Sequence, residues 1–557
     1  MKLLPVTEWL PQYPRSNVRL DVFAGIALAG LLIPESMGYA GIAGLPPQAG
    51  LYATAFGLLG YAFFGSSRQL AVSPTSASAA ILAATVAPLA AQNPEKSFVL
   101  ASAVSLVVGL LFLIAGILKL GFVSDFISKP VLKGFVFGIA LTIVIKQLPK
   151  LLGVEKSSGP SYVQFWHTLT QIAQANLWTL ATGAIALAAL FLMDRYLHHV
   201  PGALLVLIAG IAASRVLELH AHGVDIVGVI PAGLPRPHFP MLTWSDWLQA
   251  APAAVGMALV LYVESLGAAR TFANKNGYDI DPNQELRALA VANATSAIFH
   301  GMIVGGGTSG TAANDGNGAK SQLSTLAASL MVMLTLLFLT GWFYHLPEAV
   351  LGAIVVHAVW HLLDYRELQR IRRIRRIEYR ESLAAVVGVI AFGILNGLLL
   401  AVILTLVALM RYLSASHVAV LGRLPGTDEF VDVARHPEAE QFPGILVLRI
   451  ERMLFFANAD AIRQQIHGLL AESPVPIRAL VISFELIPML DIAGIDVLAQ
   501  LHANAVEGGR RLVLAGVRDP LRDRLAKASL LSVLGEENIF RSVDHAVEAL
   551  TVTSSRA

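Results

Sequence analysis

Long apolar segments follow one another along most of this chain and leave few soluble folds open to it. They run from residue 22 to residue 413, separated by short polar stretches. A helix needs about 20 apolar residues to cross the hydrocarbon core of a bilayer. Only 14% of the 557 residues are charged, whereas soluble proteins carry roughly 25%. The chain is therefore predicted to be a polytopic α-helical membrane protein.

Fourteen membrane spans are predicted within a transport domain at residues 21–413. The predicted spans are 22–38, 50–64, 74–91, 98–120, 131–152, 177–193, 201–216, 250–266, 288–303, 308–313 with a short continuation, 323–344, 349–363, 383–394 and 398–412. An even number of spans puts both termini on one side. If that side is the cytoplasm, nineteen basic residues lie inside and six outside, which agrees with the positive-inside rule. We expect a multi-pass protein of the inner (plasma) membrane with cytoplasmic termini.

Three further regions complete the predicted organisation. Residues 1–20 contain Trp9, Tyr13 and basic side chains, so they form either an amphipathic cytoplasmic segment or a short solvated leader. Residues 414–442 are polar and acidic like a linker, and residues 443–557 alternate strand and helix patterns typical of a small α/β domain. The arginine cluster within 366–380 is interpreted as a loop facing anionic lipid. With a net charge of +2, no nucleic-acid partner is expected.

Two polar interruptions break the apolar pattern inside the membrane region. The first, at residues 66–80, is rich in Ser and Thr; Ser73 is predicted to cap a helix whose first turn holds Pro74. The second, at residues 301–323, contains three consecutive glycines, after which Thr308 or Ser309 is predicted to cap a new helix. Each interruption is predicted to start a half-helix near the middle of the membrane.

Half-helices of this kind favour an anion-binding site. Irregular backbone at membrane depth is tolerated only where it is buried in protein or lines a wet cavity. A helix N-terminus there presents unpaired N–H groups and about half a positive charge, and two such ends facing each other can hold an anion. The interruptions fall in the third and tenth spans, as expected for a seven-plus-seven repeat. The alternative to an anion site is that each interruption is a place where two helices cross in close contact through small residues.

Two carboxylates lie within the predicted spans. Glu35 follows Pro34 in the first span, and Glu264 lies in the eighth. A carboxylate at this depth costs several kcal/mol unless it is paired, protonated or solvated. Glu264 is the stronger candidate for coupling to H⁺ or Na⁺, and Glu35 is the second. Whether a Na⁺ ion binds near Glu264 is left open. The alternative for both is a structural hydrogen bond.

Neither an enzyme nor a metal site is predicted. His357 and His361 lie four residues apart on one helical face, but no third ligand is visible. These histidines are expected to make packing or polar contacts. The chain has no cysteine, and the sequence shows no set of nucleophile, base and oxyanion donors. No cofactor is expected other than the coupling ion.

Several segments give the chain a specific resemblance to a known family. They are IPESMGYAGIAGLPPQAGLYAT from Ile33, GSSRQLAVSPTSA from Gly65, NQELRALAVAN from Asn283, and the glycine-rich tenth span. The segments DIAGIDVLAQL from Asp491 and RLVLAGVRDPLRDRL from Arg511 are similar to a STAS domain. Over nearly its whole length the chain resembles bacterial members of the sulfate permease (SulP) family, which are homologous to solute carrier family 26.

The resemblance implies a fold, a site and an assembly. The fold would be a fourteen-span, seven-plus-seven inverted repeat with core and gate subdomains, a cytoplasmic α/β STAS domain and an elevator-like movement. The implied substrate-binding residues, between the third and tenth half-helices, are Tyr39, Thr75, Ser76, Thr308, Ser309 and Gly310. Glu264 falls where relatives carry a carboxylate for cation coupling. A homodimer is implied, and a cytoplasmic protein partner of the STAS domain is left open.

Two departures from the family pattern affect these expectations. Many relatives carry Arg where this chain has Gly310, so a fixed positive charge is missing. That absence favours cation-coupled symport over exchange. Many bacterial relatives have Ser or Thr where this chain has Ala493, which excludes phosphorylation at this position.

The sequence favours a secondary active anion transporter coupled to H⁺ or Na⁺, with sulfate first and bicarbonate or a dicarboxylate next. One alternative is a nucleobase-type symporter of the same fold, which would lack the STAS domain and need carboxylates on the eighth and tenth spans, whereas the tenth span here offers only hydroxyls and glycines. The other is a membrane regulator that has lost transport and acts through its STAS domain.

Overall fold

The computed structural model of the chain describes residues 4–90, 94–122, 128–157, 159–196, 201–240, 244–415 and 417–554. It divides into two compact units, Met1–Thr405 and Leu406–Ala557. Parts of the predicted N-terminal segment, third span, linker and last domain (1–3, 91, 416 and 555–557) lie outside the described residues.

Each of the fourteen predicted spans corresponds to a helix. The helices are α1 Val18–Ile42, α2 Pro47–Phe64, α3 Ser76–Ala90, α4 Pro94–Ile117, α5 Lys129–Leu152, α6 Leu177–Tyr196, α7 Gly202–Val216, α8 Trp244–Lys275, α9 Pro282–Ile298, α10 Thr308–Gly316, α11 Leu323–Phe338, α12 Glu348–Trp360, α13 Arg376–Phe392 and α14 Ile394–Ser414. Two short strands, β1 (Val72–Ser73) and β2 (Gly305–Gly306), precede α3 and α10. The start of α9 lies before the predicted residue 288 because the Asp281 carboxylate accepts hydrogen bonds from the N–H groups of Asn283 and Gln284.

Only some of these helices are long and apolar enough to cross a bilayer unaided. Among the described residues there are six such helices, and they fall within α1, α4, α5, α6, α8 and the region of α12. The others do not meet both conditions within the described residues, and α3 and α10 each begin at an irregular segment that is buried. Irregular backbone at this depth is kept stable by the protein around it, not by lipid.

Helix packing shows the internal repeat. α9 packs on α4, and seven positions away α2 packs on α11; α13 packs on α5, and α6 on α12; α1 packs on α11, and α8 on α4. In each of these three pairs, adding or subtracting seven from both helix numbers turns one contact into the other. β1 and β2 pair antiparallel, with Val72 opposite Gly306 and Ser73 opposite Gly305. This confirms the prediction of a seven-plus-seven inverted repeat.

The fourteen span helices form two groups. We call α1–α4 with α8–α11 the core subdomain, and α5–α7 with α12–α14 the gate subdomain. α1 contacts the gate helices α7 and α12. Small residues allow the close approach: a Cβ at Gly38 of α1 would lie 2.4 Å from the Val355 side chain of α12.

A buried carboxylate fixes the chain between α2 and β1. Glu285 of α9 is 1% exposed and accepts hydrogen bonds from Tyr61 Oη at 2.7 Å, from Ser66 N and Oγ at 2.9 and 2.7 Å, and from Ser67 N at 3.2 Å. A buried donor left without its acceptor costs about 1–3 kcal/mol. This carboxylate therefore stabilises the segment that leads to α3.

We expect Glu285→Leu to lower the unfolding free energy by about 3 kcal/mol or more, because it strands several buried donors. Glu285→Gln keeps one acceptor oxygen and is expected to cost less. Thermal unfolding of the purified variants in detergent measures both effects. Equal melting temperatures for Glu285→Leu and the unsubstituted protein would contradict this assignment.

The second unit is built on a six-stranded sheet. Its strands are β3 Val418–Arg423, β4 Phe430–Asp432, β5 Ile445–Ile450, β6 Ala479–Ser483, β7 Arg511–Ala515 and β8 Ile539–Phe540. The order is β4-β3-β5-β6-β7-β8, with β5 to β8 parallel. Its helices are α15 Ala459–Ala471, α16 Ile492–Glu507, α17 Asp519–Lys527, α18 Leu530–Leu534 and α19 Val543–Ser554. β3 and β4 belong to the segment predicted to be a linker.

The segment around Ala493 is a helix start. Asp491 caps α16 by accepting a hydrogen bond from Gly494 N at 2.9 Å, and its second oxygen accepts one from Phe456 N at 2.9 Å. Ile492 beside it is 78% exposed. The loop before α15 and the start of α16 are thus held together by one side chain.

Candidate functional site

The half-helix α3 begins at Ser76, two residues later than predicted. Thr75 and Ser78 cap it reciprocally: Ser78 N donates to Thr75 Oγ1 at 3.1 Å, and Thr75 N donates to Ser78 Oγ at 2.9 Å. Ser73 instead belongs to β1, so the prediction that Ser73 caps the helix was wrong. The competing principle is strand pairing with β2, which holds Ser73 extended. The N–H groups of Ser76 and Ala77 have no intrahelical acceptor.

The half-helix α10 begins at Thr308, after the three glycines, but the predicted cap was also wrong. The residue at the N-cap position is Gly307, which has no side chain to accept a hydrogen bond. The first intrahelical bond runs from Thr311 N to Gly307 O at 3.2 Å. The N–H groups of Thr308, Ser309 and Gly310 therefore lack intrahelical acceptors, and they remain available to a ligand.

The two helix starts lie side by side. A Cβ at Gly307 would be 3.4 Å from Thr75 Cγ2. The paired strands β1 and β2 end just before α3 and α10, respectively. Two partially positive helix ends at this distance repel each other. An anion between them would relieve that repulsion.

Polar side chains on neighbouring helices hold the irregular segments in place. Asn293 of α9 bonds both the N–H and the C=O of Val304, at 3.0 and 2.9 Å, and Ser296 donates to Met302 O. Ser265 of α8 accepts from Gly306 N at 2.7 Å, and Thr311 accepts from Ala71 N at 3.2 Å. The backbone before each half-helix is therefore hydrogen-bonded without using the free N–H groups of the tips.

Each tip carries a hydroxyl that donates to a carboxylate from the other half of the repeat. Thr75 Oγ1 of α3 donates to Glu264 of α8 at 3.3 Å, and Ser309 Oγ of α10 donates to Glu35 of α1 at 3.3 Å. Since α1 corresponds to α8 and α3 to α10, the two pairs are related by the repeat. Within the described part of the chain, no ion pair involves Glu35 or Glu264.

A cavity of about 790 Å³ leads to this region between the core and gate subdomains. The core side contributes Glu35, Thr308 and Ser309, and the gate side contributes His357 and His361 among others. Tyr39, Thr75 and Ser76 are at most 7% exposed and lie behind the cavity wall. Gly310 is packed on α1, where a Cβ would be 3.2 Å from Leu32. The structure thus brings Glu35 and the α10 tip to the cavity and buries the α3 tip.

Sequence reasoning missed several residues of this site. Asp194 of α6 lines the cavity, and its carboxylate lies 2.8 Å from His357 Nε2. Its position at the polar end of a predicted span gave no signal of that contact. Ser265 and Asn293 were also missed, although polar side chains inside an apolar span are a usable signal.

Comparison with known proteins identifies the family. The model of the Sulfate permease family matches residues 18–385, and that of the STAS domain matches residues 436–546. The chain belongs to the sulfate permease family. It is accordingly a membrane transporter with a C-terminal STAS domain, and not an enzyme.

Relatives and solved structures agree with this assignment. A probable sulfate transporter of Mycobacterium tuberculosis is 36% identical over 97% of this chain and 96% of its own length. Sulfate transporter 4.1, chloroplastic, of Arabidopsis thaliana is 31% identical over 98% of this chain and 82% of its own. A structure of SLC26A9 covers 99% of this chain and 93% of that chain, with a TM-score of 0.91 and 25% identity. The transmembrane domain of a cyanobacterial bicarbonate transporter has a similar fold, with a TM-score of 0.62 and 23% identity over 70% of this chain and 98% of that chain.

Proposed function

We propose that this protein is a secondary active transporter of a small anion, coupled to H⁺ or Na⁺. Sulfate is the first candidate, because the relatives described above are named sulfate transporters. Bicarbonate and dicarboxylates come next, since backbone N–H groups bind oxyanions of each kind. The observation that carries the proposal is the pair of adjacent helix N-termini, each next to a carboxylate.

The charges around the site argue for cation coupling. One helix N-terminus stabilises an anion by about 0.3–1 kcal/mol, and by about 2 kcal/mol in favourable, partly buried geometry. A carboxylate about 4 Å from a univalent anion repels it by about 4 kcal/mol at an effective dielectric constant of about 20. Two ionised glutamates would therefore outweigh two helix ends. Each carboxylate that a proton or a sodium ion neutralises removes about 4 kcal/mol of this repulsion, so cation binding favours anion binding and couples the two fluxes.

The proposed transport step is an elevator-like movement of the core along the gate. Gly38 lets α1 approach α12 closely, because a Cβ there would lie 2.4 Å from the Val355 side chain, and α1 therefore presents no side chain at this point that would have to pass Val355. With both termini in the cytoplasm, the cavity wall at Asp194, His357 and Gly316 lies toward the cytoplasmic ends of α6, α12 and α10. The structure would then be an inward-open state. A homodimer in the plasma membrane is expected.

A disulfide between core and gate tests the movement. The chain has no cysteine, so an introduced pair of cysteines has no native cysteine with which to form another disulfide. A Cβ at Gly38 lies 3.9 Å from Val355 Cβ, within the usual range for a disulfide, about 3.5–4.5 Å. Oxidising Gly38→Cys/Val355→Cys is expected to lower uptake at least about tenfold, a barrier increase of about 1.4 kcal/mol, and reduction is expected to restore it.

The matched control is a pair within the gate. A Cβ at Gly210 of α7 lies 3.5 Å from Val350 Cβ of α12, so Gly210→Cys/Val350→Cys joins two helices that move together. Its oxidation is expected to leave uptake unchanged. Full transport by the oxidised core–gate pair, with the disulfide verified by mass spectrometry, would contradict the elevator movement.

The experiment that tests the function is uptake into proteoliposomes. Labelled sulfate, bicarbonate, fumarate and uracil are supplied in turn, each with a proton gradient, a sodium gradient or neither. The proposal predicts accumulation of one of the anions under one of the two gradients. Accumulation of uracil alone would favour the nucleobase symporter, and no uptake of any solute by folded protein would favour the regulator.

A further inference from the structure

A short helix between α12 and α13 concentrates positive charge at the edge of the membrane unit. This connecting helix, Tyr365–Ile374, starts five residues after α12 ends and stops just before α13 begins. Because both neighbours are membrane helices, the connecting helix lies where they leave the bilayer. Asp364 caps it by accepting from Glu367 N at 3.0 Å.

Three arginines of this region share one concave surface. Gln369, Arg372, Arg373 and Arg376 line a cavity of about 360 Å³, which we call the arginine pocket. Gln369, Arg372 and Arg373 are spaced so that they share one face of the connecting helix. Arg376 is the first residue of α13, and the N-terminus of α13 has no side-chain cap. Three arginines from two successive helices therefore line one space.

Acidic side chains do not neutralise the pocket. Glu367 pairs with Arg370 at 3.2 Å, and Glu378 pairs with Arg375 at 2.8 Å. In the part of the chain that the structure describes, the ion pairs include none formed by Arg372, Arg373 or Arg376. Arg372 lies 5.8 Å from the ring centre of Tyr379, which orients its guanidinium. Guanidinium forks match the oxygen pairs of a phosphate group.

Exposed apolar side chains beside the pocket indicate where that phosphate comes from. Tyr365 is 62% exposed, Ile374 66% and Ile377 38%, while Ile371 anchors the helix to the protein at 8% exposure. Basic and apolar side chains on one short helix are typical of a segment that lies in the membrane interface. A free phosphate would gain nothing from Tyr365 or Ile374, but a phospholipid would cover both.

We propose that the arginine pocket binds the headgroup phosphate of an anionic phospholipid, with the acyl chains lying against Tyr365, Ile374 and Ile377. The lipid would hold the connecting helix at the bilayer surface. This role is independent of anion transport, because none of these residues lines the cavity between core and gate.

The test measures stabilisation of the full-length protein in neutral detergent by short-chain phosphatidylglycerol. We expect phosphatidylglycerol to raise the melting temperature, with phosphatidylcholine and inorganic phosphate at the same concentration having little effect. The variant Arg372→Gln/Arg373→Gln/Arg376→Gln is expected to bind phosphatidylglycerol at least tenfold more weakly. The matched control, Arg366→Gln/Arg370→Gln/Arg380→Gln, removes the same charge from the same region and is expected to keep binding.

In these measurements, three results would overturn the proposal. They are equal stabilisation by inorganic phosphate, equal stabilisation by phosphatidylcholine, and equal weakening in the control variant. If the triple variant does not fold, Arg373→Gln alone and the dependence of wild-type binding on salt replace it. The proposal predicts that binding weakens as salt rises, because charge-assisted contacts are screened; salt-independent binding would also overturn it.

Discussion

Glu264→Gln is expected to abolish cation-driven accumulation of the anion while leaving anion binding measurable. Glutamine is neutral and nearly the same shape as a protonated glutamic acid, so it can still accept the hydrogen bond from Thr75. It cannot bind and release a proton or balance a sodium ion. We expect accumulation driven by the gradient to fall at least about a hundredfold, or about 2.7 kcal/mol in driving force, while exchange of anion across the membrane continues.

The measurement is uptake into proteoliposomes with a proton or sodium gradient, beside counterflow without one. Glu155→Gln is the matched control, because Glu155 is exposed between α5 and α6 and loses the same charge. Glu35→Gln is measured in parallel, since Glu35 holds the equivalent position on α1. Accumulation by Glu264→Gln equal to that of the control under both gradients would remove Glu264 from the coupling mechanism.

Ser309→Phe is expected to block transport almost completely. Ser309 lines the cavity in the first turn of α10, where the free N–H groups lie. A phenyl ring there would fill the space that the anion needs, while the cavity leaves room for the ring without disturbing the helix. Uptake is expected to fall below about 1% of wild type, which corresponds to about 2.7 kcal/mol.

Ser309→Ala separates blockage from loss of the hydroxyl. Alanine removes the hydrogen bond to Glu35 but leaves the backbone donors open, so uptake is expected to stay within about tenfold of wild type. Thr75→Phe is also expected to block transport, but Thr75 is 5% exposed and its replacement disturbs packing as well. Wild-type uptake by folded Ser309→Phe would place the anion site elsewhere.

The sequence predicts the helices well because the membrane imposes a simple rule. Apolar runs long enough to span are visible directly, and so are the two polar breaks. The STAS strands could be predicted from their alternating pattern. The extension of α9 to Pro282 was missed, because residues 282–287 are mostly polar and only the cap at Asp281 shows that they are helical.

The contacts around the starts of α3 and α10 could not be predicted from the sequence. Ser and Thr next to a helix start are good caps in general, yet Ser73 is drawn into β1 and Gly307 takes the position before Thr308. The long-range pairing of β1 with β2 determines where both half-helices begin, and this pairing leaves no local signal in the sequence. The same holds for Glu35 with Ser309 and Glu264 with Thr75, which join residues far apart in the chain.

The most direct test of the central claim is an anomalous difference map from crystals grown with selenate, once sulfate uptake has been measured. Selenate has the shape and charge of sulfate, and its selenium is located without ambiguity. We expect one strong peak between the starts of α3 and α10, within hydrogen-bonding distance of the N–H groups of Ser309 or Ser76. A selenate bound elsewhere in the membrane unit, or continuous helices through residues 66–80 and 301–323, would contradict the account.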